Sequence, residues 1–245
     1  MFVPCQECLL RRKSLFRPFS DAELGFVAAM KIDHRTVPPK ADIVREGEVG
    51  GPVFTLYEGW AARYQRLPDG SRQILDFLLP GDMIGLSSAV LGIVKHSVEA
   101  ITPVTLCALD SRAMLDLFSQ HPALALAILR TRVEEAQLAD MRLALLGRRT
   151  AAQRIAYLML ETFDRLRQCG LANGGTTCPF PVQRRHLADA AGLSRVHLLR
   201  TLAELRSEGL AEIQNGVLVL GNVPKLTELA TYVPTRATVG RRAIL

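Results

Sequence analysis

The 245-residue sequence predicts an α+β protein in which an all-β unit is followed by a long helix and then by a helix-turn-helix with a β-hairpin. Short apolar stretches separated by Gly, Pro and Asp clusters run from Thr36 to Asp110, as in an all-β unit. Glycine is absent over residues 111–146, which favours helices. Ala188 and Gly192 stand four residues apart, which is typical of two helices joined by a tight turn.

The N-terminal unit is predicted to open with a helix. Ser20 can accept a hydrogen bond from an amide of the first turn, and Leu24, Val27 and Met30 share one helix face. Strands are predicted at Val53–Tyr57, Gln73–Leu79, Ser97–Ile101 and Val104–Leu109. Pro68-Asp69-Gly70 predicts a hairpin turn, because proline presets the first central dihedral and glycine tolerates positive φ.

The long helix is predicted to begin at Pro122, since proline is favoured in the first turn. Positions spaced three and four residues apart then form a stripe: Leu126, Leu129, Val133, Ala136, Asp140 and Leu143. Such a stripe lets two helices pack as a coiled coil, so its apolar members are predicted to form a dimer interface. A face packed against the core of its own chain would look similar, and Asp140 interrupts the stripe.

Another helix is predicted over Thr150–Arg167, and the most informative stretch follows it at residues 184–200. A small residue at Ala188 lets two helices cross closely, Gly192 makes the turn, and Ser194 can cap the second helix. That second helix is predicted over Arg195–Ser207. Asn215-Gly216, between two apolar stretches, predicts a β-hairpin after it. The whole is a winged helix-turn-helix.

Positive charge is concentrated in the same part of the chain. Residues 1–146 hold 16 Lys and Arg against 17 Asp and Glu, a net charge of −1, whereas residues 147–245 hold 14 against 7, a net charge of +7. A basic surface attracts phosphates, and the start of the second helix would enter a major groove. The predicted DNA-binding residues are Arg184, Arg185, Ser194, Arg195, Val196, His197 and Arg200. The alternative is an ordinary helical pair with a solvated basic face.

The overall composition excludes several classes of protein. The chain has 49% hydrophobic and 22% charged residues, no apolar run near the roughly 20 residues of a membrane span, and no signal-peptide pattern, so we expect a cytoplasmic protein without membrane contact. Five cysteines, an odd number, argue against a secreted disulfide framework. No nucleophile–base grouping, P-loop or metalloprotease motif occurs, so no enzyme is predicted.

The order of these parts resembles the Crp/Fnr superfamily of transcription factors from about Cys5 to Ala230. The resemblance is carried by Leu67–Leu75 (LPDGSRQIL), Pro80–Gly85 (PGDMIG), His96–Ala100 (HSVEA), Gly147–Ala151 (GRRTA) and the helix-turn-helix. It implies a cyclic-nucleotide-binding-like β-roll that senses a signal, and a homodimer that presents two recognition helices to palindromic double-stranded DNA. RNA polymerase is the further partner that it implies. The expected domains are an N-terminal cysteine-containing segment at 1–20, the β-roll at 21–120, the dimerisation helix at 121–147, the winged helix-turn-helix at 148–232 and a tail at 233–245.

Two positions at which this chain departs from the family bear on which effector it binds. Members that bind cyclic AMP have a Glu after the glycine that matches Gly85, and an Arg-Ser pair in the next strand, whereas this chain has Leu86 and His96-Ser97. Leu86 cannot bond a ribose hydroxyl, and a neutral His is no bidentate phosphate ligand. Cyclic AMP is therefore not the expected effector.

The cysteines match the Fnr branch only in part. That branch holds a [4Fe–4S] cluster with three N-terminal cysteines and one in the β-roll; Cys5, Cys8 and Cys107 match three of the four. The missing ligand would have to be His34 or another residue. Inert thiols, a thiol redox switch and metal ligation therefore stay open, and a redox protein without specific DNA binding is the alternative function. Otherwise His34, His121 and His186 are expected at the surface or in turns.

The recognition helix departs from the family too. Fnr-like members read DNA through a Glu, a Ser and an Arg, and the matching positions here are Val196, Leu199 and Arg200. Without the Glu, the acceptor for cytosine N4 is lost. We therefore expect a target other than the usual Fnr half-site.

Overall fold

The computed structural model describes residues 3–13, 16–172 and 174–234. They form two compact units: residues 3–71 with Leu75–Glu135, and Arg72–Ile74 with residues 136–234. The mixture of helices and sheets confirms the predicted α+β class. Of the expected tail at 233–245, residues 235–245 lie outside the described part, as do residues 1, 2, 14 and 15 of the N-terminal segment.

The first unit contains two four-stranded sheets flanked by helices. Its elements are α1 (Asp21–Met30), β1 (Lys31–Val37), β2 (Asp42–Val44), β3 (Val53–Glu58), β4 (Ala61–Arg66), the second part of β5 (Arg72–Leu78), β6 (Met83–Ile84), α2 (Leu86–Leu91), β7 (Ser97–Ala100), β8 (Val104–Leu109), α3 (Met114–Gln120) and the first part of α4 (Pro122–Arg148). The strand orders are β1-β8-β3-β6 and β2-β7-β4-β5. Strands β1 and β3 pair antiparallel with β8, and β2 and β4 with β7.

The two sheets share one apolar core. Phe54, Leu56 and Leu106 from the first sheet and Val98 and Leu78 from the second are all buried in it. Full burial of such side chains contributes roughly 1.5–3 kcal/mol each, which holds the sheets face to face. A second apolar cluster joins the end of α1, helix α3 and the start of α4 to the first sheet.

Local signals in this unit act as predicted. The Ser20 hydroxyl accepts from the Glu23 amide at 3.2 Å, and the Glu23 carboxylate accepts from the Ser20 amide at 2.9 Å, which closes a capping box on α1. In the turn between β4 and β5, the Ser71 amide donates to the Asp69 carboxylate at 2.9 Å, and Gly70 has φ +82°. The predicted hairpin is confirmed.

Helix α4 begins at Pro122, as predicted, and its faces differ in burial. Leu124, Ala127 and Ile128 belong to the core of the first unit. The predicted stripe is not part of that face: Leu126, Leu129, Val133, Ala136 and Leu143 are exposed, Leu143 to 72%. The packing of the described chain therefore does not account for the stripe.

The second unit is a helical bundle with a small sheet. After the end of α4 come α5 (Ala151–Gln168), β9 (Thr177–Pro179), α6 (Arg184–Ala191), α7 (Arg195–Ser207), β10 (Ala211–Gln214), β11 (Val217–Leu220) and α8 (Val223–Ala230). The sheet has the order β10-β11-β9. Helix α5 is central: Ile155, Met159 and Leu166 are fully buried. Its buried Asp164 accepts from the Tyr232 hydroxyl at 2.9 Å, so the acid carries a hydrogen bond.

Candidate nucleic-acid interface

Helices α6 and α7 form the predicted helix-turn-helix. Gly192 lies between them with φ +63°, a conformation that glycine adopts without strain. A Cβ at this position would lie 3.2 Å from the Leu146 side chain, so space as well as backbone favours glycine. Ala188 is buried, and Ser194 caps α7 by accepting from the His197 amide at 3.3 Å. The roles predicted for Ala188, Gly192 and Ser194 are confirmed.

One face of α7 is buried and the other is open. Leu198, Thr201 and Leu205 pack inward, and they hold the helix at a fixed orientation. The exposed side chains of the first two turns are Arg195, Val196, Leu199 and Arg200, whereas His197 is half-buried. Val196 is 80% exposed. The N-terminal half of α7 thus presents two cations and two aliphatic side chains, a set that can contact phosphates, guanine edges and thymine methyls.

Arg200 is held only weakly by its own chain. Its Nε lies 3.8 Å from the Glu204 carboxylate, and both side chains are more than half exposed. An ion pair of this length in water is worth roughly 0–1 kcal/mol. Arg200 therefore remains available to another anion or a base edge.

The two arginines that begin α6 differ. Arg184 is exposed, whereas Arg185 is half-buried and its Nε donates to Nε2 of His186 at 3.2 Å. His186 itself is 1% exposed, so the expectation of a surface or turn position is wrong. The physical reason is its place on the inner face of α6 next to Leu187, and burial lowers the pKa of His186 to about 4. A neutral imidazole can accept the bond from Arg185.

Arg154 is a positioning residue that the sequence reasoning missed. From α5, its Nε donates to the Arg149 carbonyl at 3.0 Å and its Nη1 donates to the Ala191 carbonyl at 3.1 Å. The second bond ties the end of α6 to α5, where a cation is favourable because helix carbonyls end unpaired. An arginine inside a predicted helix gave no local signal for this role.

The predicted hairpin follows α7. Strands β10 and β11 pair antiparallel from Ala211–Leu220 to Gln214–Val217, and Asn215 and Gly216 both have positive φ, of 49° and 74°. Positive φ at both central residues is the turn that matches strand twist in a two-residue hairpin. The wing is therefore confirmed, and its tip is exposed.

The three cysteines that resemble the Fnr set do lie near one another. Cys5, Cys8 and Cys107 line one small cavity together with His34 and Arg11. His34 is on β1, opposite Cys107 on β8, and its Nε2 lies 3.1 Å from the Cys107 sulfur. His34 is thus a strand residue rather than a turn residue. Burial raises the pKa of the Cys107 thiol to about 11.

The cavity does not suit an iron–sulfur cluster. Its volume is about 10 Å³, roughly the space that one water molecule needs. A [4Fe–4S] cluster needs four ligands, and no group of three or more His, Cys, Asp or Glu side chains in the described part of the chain is arranged to hold a metal ion. All five cysteines are free thiols.

The positions where cyclic-AMP-binding members carry their ligand residues have other partners here. Leu86 is the first residue of α2, after Gly85 with φ +84°. The Ser97 hydroxyl accepts from the Glu46 amide at 3.0 Å, and His96 Nδ1 lies 3.2 Å from the Gln65 side-chain oxygen. The local groups that would meet a ribose phosphate are thus an aliphatic side chain, an engaged hydroxyl and an imidazole.

Within the described ranges, no helix is both long and apolar enough to cross a membrane.

Each of the two units matches a known protein family. Residues 34–121 match the cyclic nucleotide-binding domain family, and residues 153–229 match the Crp-like helix-turn-helix domain family. The transcriptional activatory protein AadR of Rhodopseudomonas palustris is 34% identical over 76% of this chain and 77% of its own length. The nitrogen fixation regulation protein FixK of Bradyrhizobium diazoefficiens is 29% identical over 92% of this chain and 93% of its own. The solved structure of FixK2 from Bradyrhizobium japonicum, 28% identical, covers 82% of this chain and 98% of that one with a TM-score of 0.73.

Proposed function

Because the chain belongs to the Crp/Fnr superfamily of transcriptional regulators and carries its helix-turn-helix DNA-binding domain, we propose that it binds a palindromic DNA site as a homodimer. The observation that carries the proposal is the open N-terminal half of α7, with Arg195, Val196 and Arg200 exposed above a buried face. The relatives AadR and FixK are named as a transcriptional activatory protein and a nitrogen fixation regulation protein, which supports a regulatory role rather than an enzymatic one. A role in DNA binding supports a cytoplasmic location, which we include in the proposal.

The domains are assigned as residues 21–120 for the sensory β-roll, 121–147 for the dimerisation helix and 148–232 for DNA binding, after the cysteine-containing segment 1–20 and before the tail 233–245. The two family matches, over 34–121 and 153–229, support the first and third of these.

Each predicted DNA contact has a role that its position supports. Arg200 and Arg195 contact bases or phosphates, Val196 meets a thymine methyl and His197 meets a base edge or phosphate. Arg184, exposed at the start of α6, contacts the DNA backbone, and Arg185 does so as far as its bond to His186 allows. Ser194 acts by capping α7 and orienting these side chains.

Selection from a random DNA pool followed by gel-shift titration tests this assignment. Arg200→Ala should weaken the selected site about 5- to 150-fold, the equivalent of about 1–3 kcal/mol, and leave random DNA nearly unchanged. Arg206→Ala, in the last turn of the same helix and also exposed, is the matched control. An equal loss on both DNAs would restrict Arg200 to phosphate contact. Salt-robust binding to the usual Fnr half-site would contradict the altered target expected from Val196 and Leu199.

The exposed stripe of α4 is the proposed dimer interface, formed by Leu126, Leu129, Val133, Ala136 and Leu143. Leu129→Asp should shift the protein from dimer to monomer in analytical ultracentrifugation, because a buried unpaired carboxylate is costly. Leu115→Asp changes an exposed leucine of α3 outside the stripe and should leave the mass unchanged. A dimer that survives Leu129→Asp would remove the stripe from the interface.

RNA polymerase is the proposed second partner, since the relative AadR is named as a transcriptional activatory protein. Transcription in vitro from a promoter that carries the selected site tests it. Added protein should raise transcript yield at an activated promoter, and Arg200→Ala should abolish that increase. A fall in yield instead would identify a repressor that excludes the polymerase.

A redox input is the second candidate, favoured by the shared cavity of Cys5, Cys8 and Cys107. We place it on this regulator rather than on a redox protein without DNA binding. Oxidation by a peroxide would join two of the thiols as a disulfide, and their two protons and two electrons would go to the peroxide. The O–O bond of the peroxide breaks, which gives two water molecules from hydrogen peroxide, or an alcohol and one water molecule from an alkyl hydroperoxide. Peroxide titration with mass spectrometry should find a loss of two hydrogens in the peptides that contain Cys5, Cys8 or Cys107. If these cysteines remain unlinked thiols after treatment, the redox input is refuted and the three side chains only pack in the core.

Cyclic AMP is not a proposed effector. Leu86 and His96 supply neither the carboxylate nor the guanidinium that its ribose and phosphate require, and the Ser97 hydroxyl is already engaged. Calorimetry with cyclic AMP should detect no saturable heat.

A further inference from the structure

The second unit contains a cavity of about 380 Å³ between α6, α7 and the first strand of the wing, β10. Its apolar lining includes Leu187 of α6, Leu199 and Leu202 of α7 and Ile213 of β10. Leu187 is buried, whereas Leu202 and Ile213 are half-buried and Leu199 is exposed, so an apolar floor opens to solvent. A volume of this order, with apolar walls and a few polar groups, suits a small organic molecule.

Helix α7 contributes a strip of four side chains to this cavity. Leu202, Ala203 and Arg206 lie three, four and seven residues after Leu199, so all four share one helix face. Because a helix rises about 1.5 Å per residue, the strip is about 10 Å long. Three apolar side chains come first and a cation comes last. The strip therefore suits an extended apolar chain that ends in a negative charge.

The polar groups of the lining favour one negative charge. Arg184 of α6 and Arg206 are accompanied by Glu212 of β10, two cations against one anion, which leaves a net charge of +1. Arg206 Nε lies 3.3 Å from Glu212 Oε2, and the two side chains are 68% and 31% exposed. Such a pair contributes little to stability, so Arg206 can turn to a ligand at small cost. Glu212 then keeps a partner, because the Gln214 side chain donates to the same oxygen at 3.1 Å.

We propose that this cavity binds a small aliphatic monocarboxylate, its carboxylate held by Arg206 and its chain lying against Leu202 and Leu199. The planar guanidinium group matches the two oxygens of a carboxylate. A single negative charge neutralises the lining, whereas a dianion leaves it with a net negative charge.

The bound ligand shares surface with the DNA contacts. Arg184 is a proposed contact to the DNA backbone, and Leu199 is 44% exposed and adjacent to Arg200 on α7. A chain that covers Leu199 excludes bases from that side chain, and a carboxylate in the cavity weakens the attraction of Arg184 for phosphates. The carboxylate and DNA therefore compete for the free protein, entirely within the second unit. This step rests on the proposed function; binding of the carboxylate does not.

Isothermal titration calorimetry of the full-length protein with octanoate, and separately with its neutral analogue octanamide, tests the site. Octanoate should bind at least about 5-fold more tightly than octanamide, because hydrogen bonds to charged groups are stronger than neutral ones. Arg206→Gln should lower octanoate affinity by about 5-fold or more and leave octanamide nearly unchanged. Arg167→Gln is the matched control, since Arg167 is also exposed in the last turn of a helix and pairs with a carboxylate, that of Asp164.

A variant that fills the cavity tests the position of the apolar chain. Ala203→Phe should abolish saturable binding of both probes, because Ala203 is exposed and a larger side chain can enter the cavity without displacing the core. Glu204→Phe adds the same ring at the next exposed position, outside the cavity lining, and should leave both affinities nearly unchanged. If Ala203→Phe fails to fold, Arg206→Gln decides.

Several results would overturn the site: no octanoate binding by the parent protein, equal affinity for octanoate and octanamide, octanoate affinity unchanged in Arg206→Gln or Ala203→Phe, or equal losses in the control variants. Fluorescence anisotropy on the selected DNA then tests the competition. Octanoate at about ten times its dissociation constant should raise the apparent dissociation constant for DNA about 10-fold, and Arg206→Gln should bind DNA like the parent protein but lose most of this effect. Octanoate that binds without weakening DNA binding refutes the competition and leaves the site standing, whereas failure to bind any DNA refutes the proposed function instead.

Discussion

Replacing Gly192 with alanine probes the turn on which the DNA-reading helix depends. A left-handed backbone costs a residue with a Cβ about 1–2 kcal/mol. At Gly192, φ is +63° and the added Cβ would also lie 3.2 Å from the Leu146 side chain, which must give by a few tenths of an ångström. Crowding of this kind adds about 1–2 kcal/mol, so the total loss should be about 2–4 kcal/mol.

Gly209→Ala separates the two contributions. Its φ is +66°, close to that of Gly192, and nothing lies within 4 Å of an added Cβ. This variant should lose only the backbone cost, about 1–2 kcal/mol. The difference between the two variants is then the contact with Leu146, and Leu146→Ala in the Gly192→Ala background should remove most of it.

Native-state hydrogen exchange is the appropriate assay, since it reports the local free energy of opening α6 and α7 in a chain with two units. Amides of these helices should exchange about 30- to 1000-fold faster in Gly192→Ala, the equivalent of 2–4 kcal/mol, and about 5- to 30-fold faster near the end of α7 in Gly209→Ala. A loss at Gly192 no larger than that at Gly209 would refute the argument that close packing, beside backbone conformation, requires glycine there.

Three further outcomes follow from the same geometry. Ser194→Ala should lower the stability of α7 by about 1 kcal/mol, because it removes the cap on that helix. The loss should be measured as faster hydrogen exchange of the His197 amide, and an unchanged exchange rate would mean that solvent replaces the hydroxyl. Burial lowers the pKa of His186 from 6.5 to about 4, so as pH falls the unfolded chain takes up a proton before the folded chain does. The free energy of unfolding should therefore decline by about 3 kcal/mol between pH 6.5 and pH 4, measured by urea denaturation at a series of pH values. His186→Gln should flatten this decline, and a decline that the variant leaves unchanged would show that other groups cause it. Because burial raises the pKa of Cys107 to about 11, iodoacetamide at pH 8 should label the half-buried Cys8 well before Cys107, and equal rates by mass spectrometry would contradict that environment.

The parts of the fold that the sequence predicts are those with local causes. Ser20, Pro122, Ser194 and Asn215-Gly216 each act within three residues of themselves, so their caps, helix start and turn follow from residue type and spacing. The helix-turn-helix belongs to this class, because its small residue, turn and cap are fixed by one short segment.

What could not be predicted depends on long-range register. His34 meets Cys107 because β1 pairs with β8 across more than 70 residues, and Arg63 and Arg132 line one cavity only because a strand and a helix pack together. His186 is expected at the surface or in a turn, yet the phase of α6 turns it inward beside Leu187. Arg154 likewise gains its role only when the end of α6 is brought to α5.

The candidate redox input reaches the long helix through the core of the first unit. Cys5 belongs to the apolar cluster that contains Leu124 and Ile128 of α4. Coupling requires an element with two arrangements that an input stabilises unequally. If a disulfide at Cys5 shifts α4 between two such arrangements, oxidation should change DNA affinity by the same factor by which DNA changes the equilibrium of oxidation, and an oxidation equilibrium that DNA leaves unchanged would rule out this coupling.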